Sequence, residues 1–499
     1  MATVRIRLQP LGESLEAEQG SPLRDALFAF GVEFPCGGRG RCRRCRVRVL
    51  EGNLPVTAAD RDLLPSDELD NGWRLACHAR AEAGLTLEIA QMEAAILADD
   101  SAFDFKPRNG LGIAVDLGTT TLVAQLLDLR TARVLAVRTA LNPQAAYGAD
   151  IMSRVQYALG GGQAKLTALV RESVGRLAAG MLATAPAGAR RIERIVVVGN
   201  SVMHHLFCGV NVDPLSHVPF EPVRDGLENF HAGELGWKLP NDPAVSFLPC
   251  LGGFVGSDIL AGVLASRIGE ADTLTGLIDL GTNGEILFGT RERMVCASAA
   301  AGPAFEAGRI SMGMRASTGA ISEVAVADGA LECRVMGDGE PRGICGSGLV
   351  DAVAAGLALG RVLPSGRLAN GNRTLPLAGA VALTQADIRE LQLAKGAVGA
   401  GIRIVLARLG AAAEDVRRVY LAGAFGNYVN RASARRIGMI GFPDGKIEQA
   451  GNTALLGAKL ALFADSLEYS DLRRRVEHIS LSADPAFEEI YVDEMAFPG

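Results

Sequence analysis

The chain has no apolar run near the roughly 20 residues that a membrane-spanning helix needs. Its longer apolar stretch, residues 350–362, is broken by Asp351, Arg361 and glycines. No G-x-x-x-x-G-K-[ST] is present, which excludes a Walker-type phosphate loop. No flavin or nicotinamide fingerprint is present either, so a self-contained reductase is excluded. The opening residues, MATVRIRLQPLGESLE, interleave charges with apolar residues and hold no apolar core of a secretory leader, so a cytoplasmic protein is expected. Positive charge is not in excess: 50 Lys and Arg against 56 Asp and Glu leave a net charge of −6, the wrong sign for bulk nucleic-acid binding.

What is present is ample core material. At 499 residues, 48% apolar and 21% charged, the chain exceeds one core and divides by the usual size of domains into about three units. Nine cysteines, an odd count, argue against a disulfide set. Five of them, Cys208, Cys250, Cys296, Cys333 and Cys345, sit in apolar or glycine-rich contexts and read as buried thiols.

The other four are crowded toward the start. Residues 3–8, TVRIRL, alternate as a strand does, and residues 21–30, SPLRDALFAF, open with Ser and Pro as a helix does. FPCGGRGRCRRC then supplies Cys36, Cys42 and Cys45, and Cys77 completes C-x5-C-x2-C-x31-C. Three close thiolates and one distant thiolate match the 2Fe–2S ferredoxin pattern of plant and vertebrate type, with a first gap one residue longer than C-x4-C. Gly37, Gly38 and Gly40 let amides curl around an anionic cluster. Zinc is the competing ligand, but its structural sites favour two C-x-x-C halves and only one is present. The arginines at 39, 41, 43, 44, 46 and 48 offer a docking face for an acidic electron donor. For Arg46 and Arg48 the plainer reading is the solvated side of a strand whose Val47 and Val49 point inward. Residues 1–93 resemble a complete β-grasp ferredoxin, and the aperiodic residues 94–110 read as a linker on which it swings.

Residues 113–123, IAVDLGTTTLV, run as a buried strand into Asp116 and then a turn whose Gly118, Thr119, Thr120 and Thr121 amides can wrap a phosphate. Residues 277–288, LIDLGTNGEILF, repeat the plan with Asp279 and the turn Gly281, Thr282, Asn283 and Gly284. Either copy alone could be an ordinary hairpin. Together they resemble the two phosphate loops of the actin and sugar-kinase ATPase superfamily, a ribonuclease H-like duplicated α/β fold. That resemblance implies ATP pinched between the loops, with Asp116, Asp279 and Glu285 as the catalytic acids that hold Mg2+ through water or orient the attacking water. Further along, residues 192–198 read as a strand entering Gly199, Asn200 and Ser201, where a helix start offers amides to an anion, and the adjacent His204 and His205 point in different directions with no carboxylate motif, which speaks against a ligand pair. Residues 210–250 read as an irregular connection, and residues 296–308 as a loop of small residues carrying Ser298 and Glu306. Gly346 opens one glycine turn, Gly423 and Gly426 another, and in the superfamily this region receives the nucleotide. The two ATPase-like halves are assigned to residues 111–250 and 251–499.

The motifs DLGTTT, GNS-x-MHH, DLGTNGE, AAGPAFE and LAGAFGNY behind a ferredoxin resemble the ferredoxin-headed reductive activators of corrinoid-dependent methyltransferases. The resemblance implies an ATPase that binds a corrinoid protein stalled at Co(II) and returns it to Co(I), fed by an external low-potential donor such as flavodoxin, ferredoxin or a reductase. Ser298 is a candidate contact with that partner, and a homodimer is compatible with the pattern. The alternatives are a small-molecule kinase of the acetate or sugar type carrying a ferredoxin module, an activator of a radical dehydratase, and an electron-transfer ferredoxin with a structural body.

Overall fold

Val4, Ile6 and Leu8 alternate with polar neighbours, and strand β1 (Thr3–Gln9) buries those three and exposes the rest. It pairs antiparallel with β2 (Glu13–Glu18). The sheet order β2-β1-β5-β3-β4 is completed by β3 (Arg46–Glu51), β4 (Trp73–Leu75) and β5 (Thr86–Glu88), with β5 parallel to β1. Short helices α1 (Leu23–Leu27), α2 (Ala58–Leu63) and α3 (Ser66–Asp70) complete this α+β, β-grasp head. The helix expected from Ser21 starts at Leu23, because Pro22 is held in a bridge with Arg80. The computed structural model describes residues 3–9, 13–27, 30, 32, 40, 45–89, 103–148, 150–183, 185, 191–281 and 283–499. Cys36, Cys42, Thr282, residues 37–39 and 41–44, and linker residues 94–102 lie outside the described residues.

The plainer reading of β3 holds. Val47 is fully buried, while half-exposed Arg46 and Arg48 pair with Glu68 at 3.0 Å and Glu88 at 3.6 Å. The linker is not free along its whole length. Phe103 and Phe105 pack on Phe463 with ring centroids 5.6 and 4.9 Å away, and Arg108 reaches Asp465 at 2.7 Å, so the stretch from Phe103 onward is fixed to the body.

The body is one plan used twice. In the first copy β6 (Leu111–Leu117), β7 (Thr121–Asp128) and β8 (Val134–Leu141) form an antiparallel meander. Helices α4 (Ile151–Tyr157) and α5 (Gln163–Ala183) follow, joined by a widened turn at Gly161. Then β9 (Ile192–Val198), parallel to β6, enters α6 (Ser201–Cys208). The expected irregular connection over residues 210–250 contains two strands, β10 (Glu228–His231) and β11 (Ala244–Phe247). Each is four residues long and set among Pro, Asp and Gly, which hid them, yet β11 extends the parallel side of the sheet beside β9. Helix α7 (Ser257–Ser266) follows, and we place the end of the first copy after it, beyond residue 250.

In the second copy β12 (Thr275–Leu280), β13 (Gly284–Gly289) and β14 (Met294–Ala299) repeat the meander. An inserted unit holds a sheet of β15 (Ala320–Ala327), β16 (Ala330–Val335) and β17 (Gly343–Ile344), helix α8 (Gly346–Ala358), and the hairpin β18 (Thr374–Ala378) and β19 (Val381–Thr384). Thr384 and Asp387 then cap the long α9 (Gln385–Arg408) reciprocally. β20 (Arg418–Ala422) lies parallel to β12 and feeds α10 (Gly423–Tyr428) and α11 (Arg431–Arg436). β21 (Ile447–Gly451) feeds α12 (Thr453–Ala461), and α13 (Ser466–Arg474), β22 (Val476–His478) and α14 (Phe487–Met495) close the chain. The two six-stranded sheets, β10-β11-β9-β6-β7-β8 and β21-β20-β12-β13-β14-β22, have corresponding strands at five positions.

Helices α7 and α12 cross at the seam between the copies, within a core that includes Ala114, Val196, Ile259, Leu277 and Leu455. A Cβ on Gly457 would stand 2.0 Å from the Ala261 carbonyl, so the crossing is made by backbone against backbone. Cys250, Cys296 and Cys345 are buried as expected, but Cys208 and Cys333 are only half-buried. Among the described residues, no helix is long and apolar enough to cross a membrane.

Candidate nucleotide site and cluster head

The first phosphate turn is built by pairing Leu117 with Leu122, which closes β6 on β7 and leaves residues 118–121 to reverse the chain. Gly118 is required there, since a Cβ would lie 2.5 Å from the Thr121 carbonyl. Three successive carbonyls of the turn are held by two residues. Asn142 donates its side-chain amide to Gly118 O at 2.9 Å and its backbone N–H to Thr120 O at 2.8 Å, and the Arg154 guanidinium donates to Thr119 O. Thr119 Oγ1 accepts from Asn200 Nδ2 at 2.9 Å, and Asn200 is also the N-cap of α6.

The second turn joins β12 to β13, with the Gly281 N–H donating to Asn283 O at 3.0 Å. Register now explains the acids. Asp279 and Glu285 are directly opposed across β12 and β13, and Glu285 and Ser298 across β13 and β14, so the three share one face of the sheet. Ser298, expected at the partner surface, is half-buried with its hydroxyl 3.5 Å from Glu285 Oε1.

The two copies bring their acids within reach of one another. Burial raises Asp116 from the usual carboxylate range to about 6, against a lowering hydrogen bond from Asn452. Burial, then the charge of Asp116, lifts Asp279 to about 7. Asp258, in the first turn of α7, is lifted to about 8 by burial and by the charges of Asp279 and Asp116. Burial, then Asp258 and Asp279, pushes Glu285 well above its ordinary range. Four desolvated carboxyls acting on one another form a site that a divalent cation would neutralise. Among the described residues no three His, Cys, Asp or Glu side chains are gathered tightly enough to hold a metal ion directly. Water and phosphate oxygens would have to complete its shell, as for Mg2+ on nucleotides.

One glycine turn reaches this cluster. Gly423, at φ +84°, would set a Cβ 2.3 Å from Asp279 Oδ1, so no other residue fits. Gly346 and Gly426 flank Phe425, whose ring stacks on Phe305 at 4.9 Å. Sequence reasoning missed Asp258, Asn452, Asn142 and Arg154 as site residues, and read Asn200 only as part of an anion-facing helix start. The signal available for Asp258 and Asn452 was positional, an acid or amide at the start of the helix that follows the corresponding strands β11 and β21. His204 and His205 lie in the core, fully buried, with ring nitrogens on Gly226 O at 3.2 Å and Ser201 O at 2.8 Å.

In the head, Cys45 is buried and Cys77 half-buried, and the Ala76 N–H donates to Cys45 O at 2.9 Å, tying the two cysteine-bearing segments together. Gly40, at φ +63°, leaves a Cβ position 2.2 Å from His78 Nε2, so a side chain there would have to displace that ring. Two cysteines on segments joined by that hydrogen bond suit a thiolate-held iron–sulfur cluster.

Residues 6–82 match the 2Fe-2S iron-sulfur cluster binding domain, residues 111–271 the RACo middle region, and residues 273–499 the C-terminal domain of RACo, the ASKHA domain. The first supports a 2Fe–2S cluster in the head and the last a nucleotide in the body. The corrinoid activation enzyme RamQ of Eubacterium limosum is 28% identical over 99% of each chain. The [Co(II) methylated amine-specific corrinoid protein] reductase of Methanosarcina barkeri is 29% identical over 77% of each chain. The solved structure of a reductive activator for corrinoid, iron-sulfur protein superposes with a TM-score of 0.68 at 26% identity, covering 99% of this chain and 98% of that one. With its ferredoxin head, middle region and ASKHA domain in that order, the chain belongs to the RACo family of reductive activators.

Proposed function

We propose that the protein is an ATP-dependent reductive activator that delivers one electron to the Co(II) form of a corrinoid protein and restores Co(I) for methyl transfer. The observation that carries this reading is the meeting of Asp116 and Asp279, one from each copy of the fold, in a chain that also bears the cysteine head. Cys36, Cys42, Cys45 and Cys77 would hold the 2Fe–2S cluster, which supplies a one-electron carrier near about −400 mV when bound. An external low-potential donor replaces the electron. Reducing Co(II) lies uphill of that potential, and each further ~100 mV for one electron costs about 2.3 kcal/mol.

ATP, held with Mg2+, makes up that difference. The amides of Gly118 to Thr121 and those of the second turn beyond Gly281, whose own N–H is taken by Asn283 O, would bind its phosphates, and Asp116, Asp279 and Glu285 would orient the metal's water shell and the attacking water. Hydrolysis to ADP and phosphate changes what the acids face, and α7 and α12, locked at Gly457, carry that change between the copies. Ser298 stands between Glu285 and the small-residue segment that follows it, to which this reading gives the corrinoid partner. The head rests on the body through Arg24 over the Tyr147 ring at 5.0 Å and Glu88 to Arg342 at 3.4 Å. The apolar core of the head also runs on into that of the first copy, and this reading has the head leave that position to reach the cobalt. Free thiols suit a reducing cytoplasm.

The test is coupling between partner and nucleotide. ADP release by the cluster-loaded protein should rise several-fold on adding a Co(II) corrinoid protein and not on adding sugars or short-chain acids. Stimulation by a sugar or an acid instead would contradict the reading.

A further inference from the structure

A fully buried guanidinium stands directly behind the first phosphate turn with no part in the chemistry above. Arg154 lies on α4 with no solvent exposure. Its Nε donates to Gly148 O at 2.8 Å, one terminal nitrogen to Gln144 Oε1 at 3.3 Å, and the other to Thr119 O. Burial lowers it to about 9, opposed by the carboxylates of Asp150 and, from the second copy, Glu306. A cation so placed is costly to desolvate, and a neutral residue of similar volume could fill the same space.

Peptide geometry says what it does. In a trans peptide the C=O and the next N–H point in opposite directions. Asn142, just after β8, and Arg154, on α4, hold the carbonyls of Gly118, Thr119 and Thr120, which turns the amides of Thr119, Thr120 and Thr121 away from those donors. The Thr119 carbonyl is the middle one, and Arg154 holds it.

We propose that Arg154 is a positioning residue for nucleotide phosphates, which it never touches: its guanidinium fixes the Thr119 peptide from behind and adds a buried positive charge beneath the turn. The proposal rests on the nucleotide reading above and sharpens it, because it assigns the effect to the phosphates alone. Adenosine, which lacks them, should not sense Arg154.

The experiment compares Mg-ADP with adenosine on the full-length, cluster-loaded protein, by calorimetry or by competition with a fluorescent nucleotide. Arg154→Gln keeps a donor near Thr119 O but removes the charge and the fork. It should weaken Mg-ADP at least tenfold, leave adenosine within about twofold, and raise KM for ATP with kcat changed less than about threefold. Arg154→Lys keeps the buried charge, so it serves if the Gln variant does not fold. It should show the same selective loss at a smaller scale, about three- to tenfold. Equal weakening of Mg-ADP and adenosine, or unchanged Mg-ADP binding in a folded variant, would overturn the proposal while leaving the nucleotide site intact. A parent protein that binds neither ligand would overturn the nucleotide reading itself, and this proposal with it.

Discussion

Asn452 donates its side-chain amide to Asp116 Oδ2 at 2.9 Å, reaching from the N-cap of a helix in the second copy to the terminal acid of a strand in the first. The same side chain accepts from the Leu455 N–H at 2.8 Å, so one residue caps α12 and holds the opposing acid. On the other diagonal Asp258, in the first turn of α7, faces Asp279. The copies thus exchange helix starts across the cleft.

Replacing Asn452 by Ser keeps a capping oxygen and shortens the reach to Asp116. A hydrogen bond to a charged group is worth about 1.5–3 kcal/mol. Asn452→Ser should therefore melt within a few degrees of the parent yet bind Mg-ADP about tenfold more weakly. Asn452→Ala, which also loses the cap at about 1 kcal/mol, should show both defects. Calorimetric titration beside a thermal melt separates them, and parental nucleotide affinity in the Ser variant would remove the link.

Acidity of the cleft sets a pH dependence. Asp116, Asp279 and Asp258 hold protons in the folded protein up to about 6, 7 and 8, whereas an unfolded chain releases them near the ordinary 3.8. Folded protein binds more protons in that interval, so stability is highest at the acid side and falls as pH rises through it. His204 and His205, lowered by burial, work in the opposite sense below about 6.5. Between pH 6.5 and 8 the nucleotide-free protein should lose Tm, and saturating Mg-ADP should flatten the slope. A Tm that rises across that window would contradict the arrangement of acids.

How far the sequence reached can be argued from these residues. Asp116 and Asp279 were legible because a buried strand, an acid and a glycine turn are contiguous in the chain, and the cysteine spacing was legible for the same reason. Asp258, Asn452 and Arg154 were not, because their meaning comes from the crossing of α7 with α12 and from packing against the reverse of a turn. β10 and β11 were lost because four residues of alternation among Pro and Gly are too short a signal. The linker failed at Phe103 and Phe105, where two aromatics in a polar stretch outweigh its composition.

Asp258 offers a sharper mechanistic test, being an acid set between two others. Asp258→Asn should lower kcat for ATP hydrolysis by about 10²-fold, as loss of a positioned acid or base does. Removing a desolvated carboxyl should also raise Tm above pH 7 and reduce the pH slope described above. Steady-state ADP release and melts at pH 6.5 and 8 check both, and unchanged turnover would exclude Asp258 from the chemistry.

The head can be tested without the partner. Cys45→Ser and Cys77→Ser each remove one thiolate from the four expected ligands, and both should lose the visible absorption and the iron and sulfide content of a 2Fe–2S protein. Nucleotide affinity should stay within about twofold, because the first phosphate turn belongs to a separate sheet. A coloured, iron-replete Cys45→Ser protein would take that cysteine out of the ligand set.

The central claim is that nucleotide turnover in the body lifts an electron the head cannot deliver unaided. Purified, cluster-loaded protein mixed with a low-potential reductant and a Co(II) corrinoid protein should yield the Co(I) absorption spectrum when ATP and Mg2+ are added and little of it without them. Asp279→Ala should abolish the ATP-dependent part alone. Equal formation of Co(I) in nucleotide-free buffer would contradict the account.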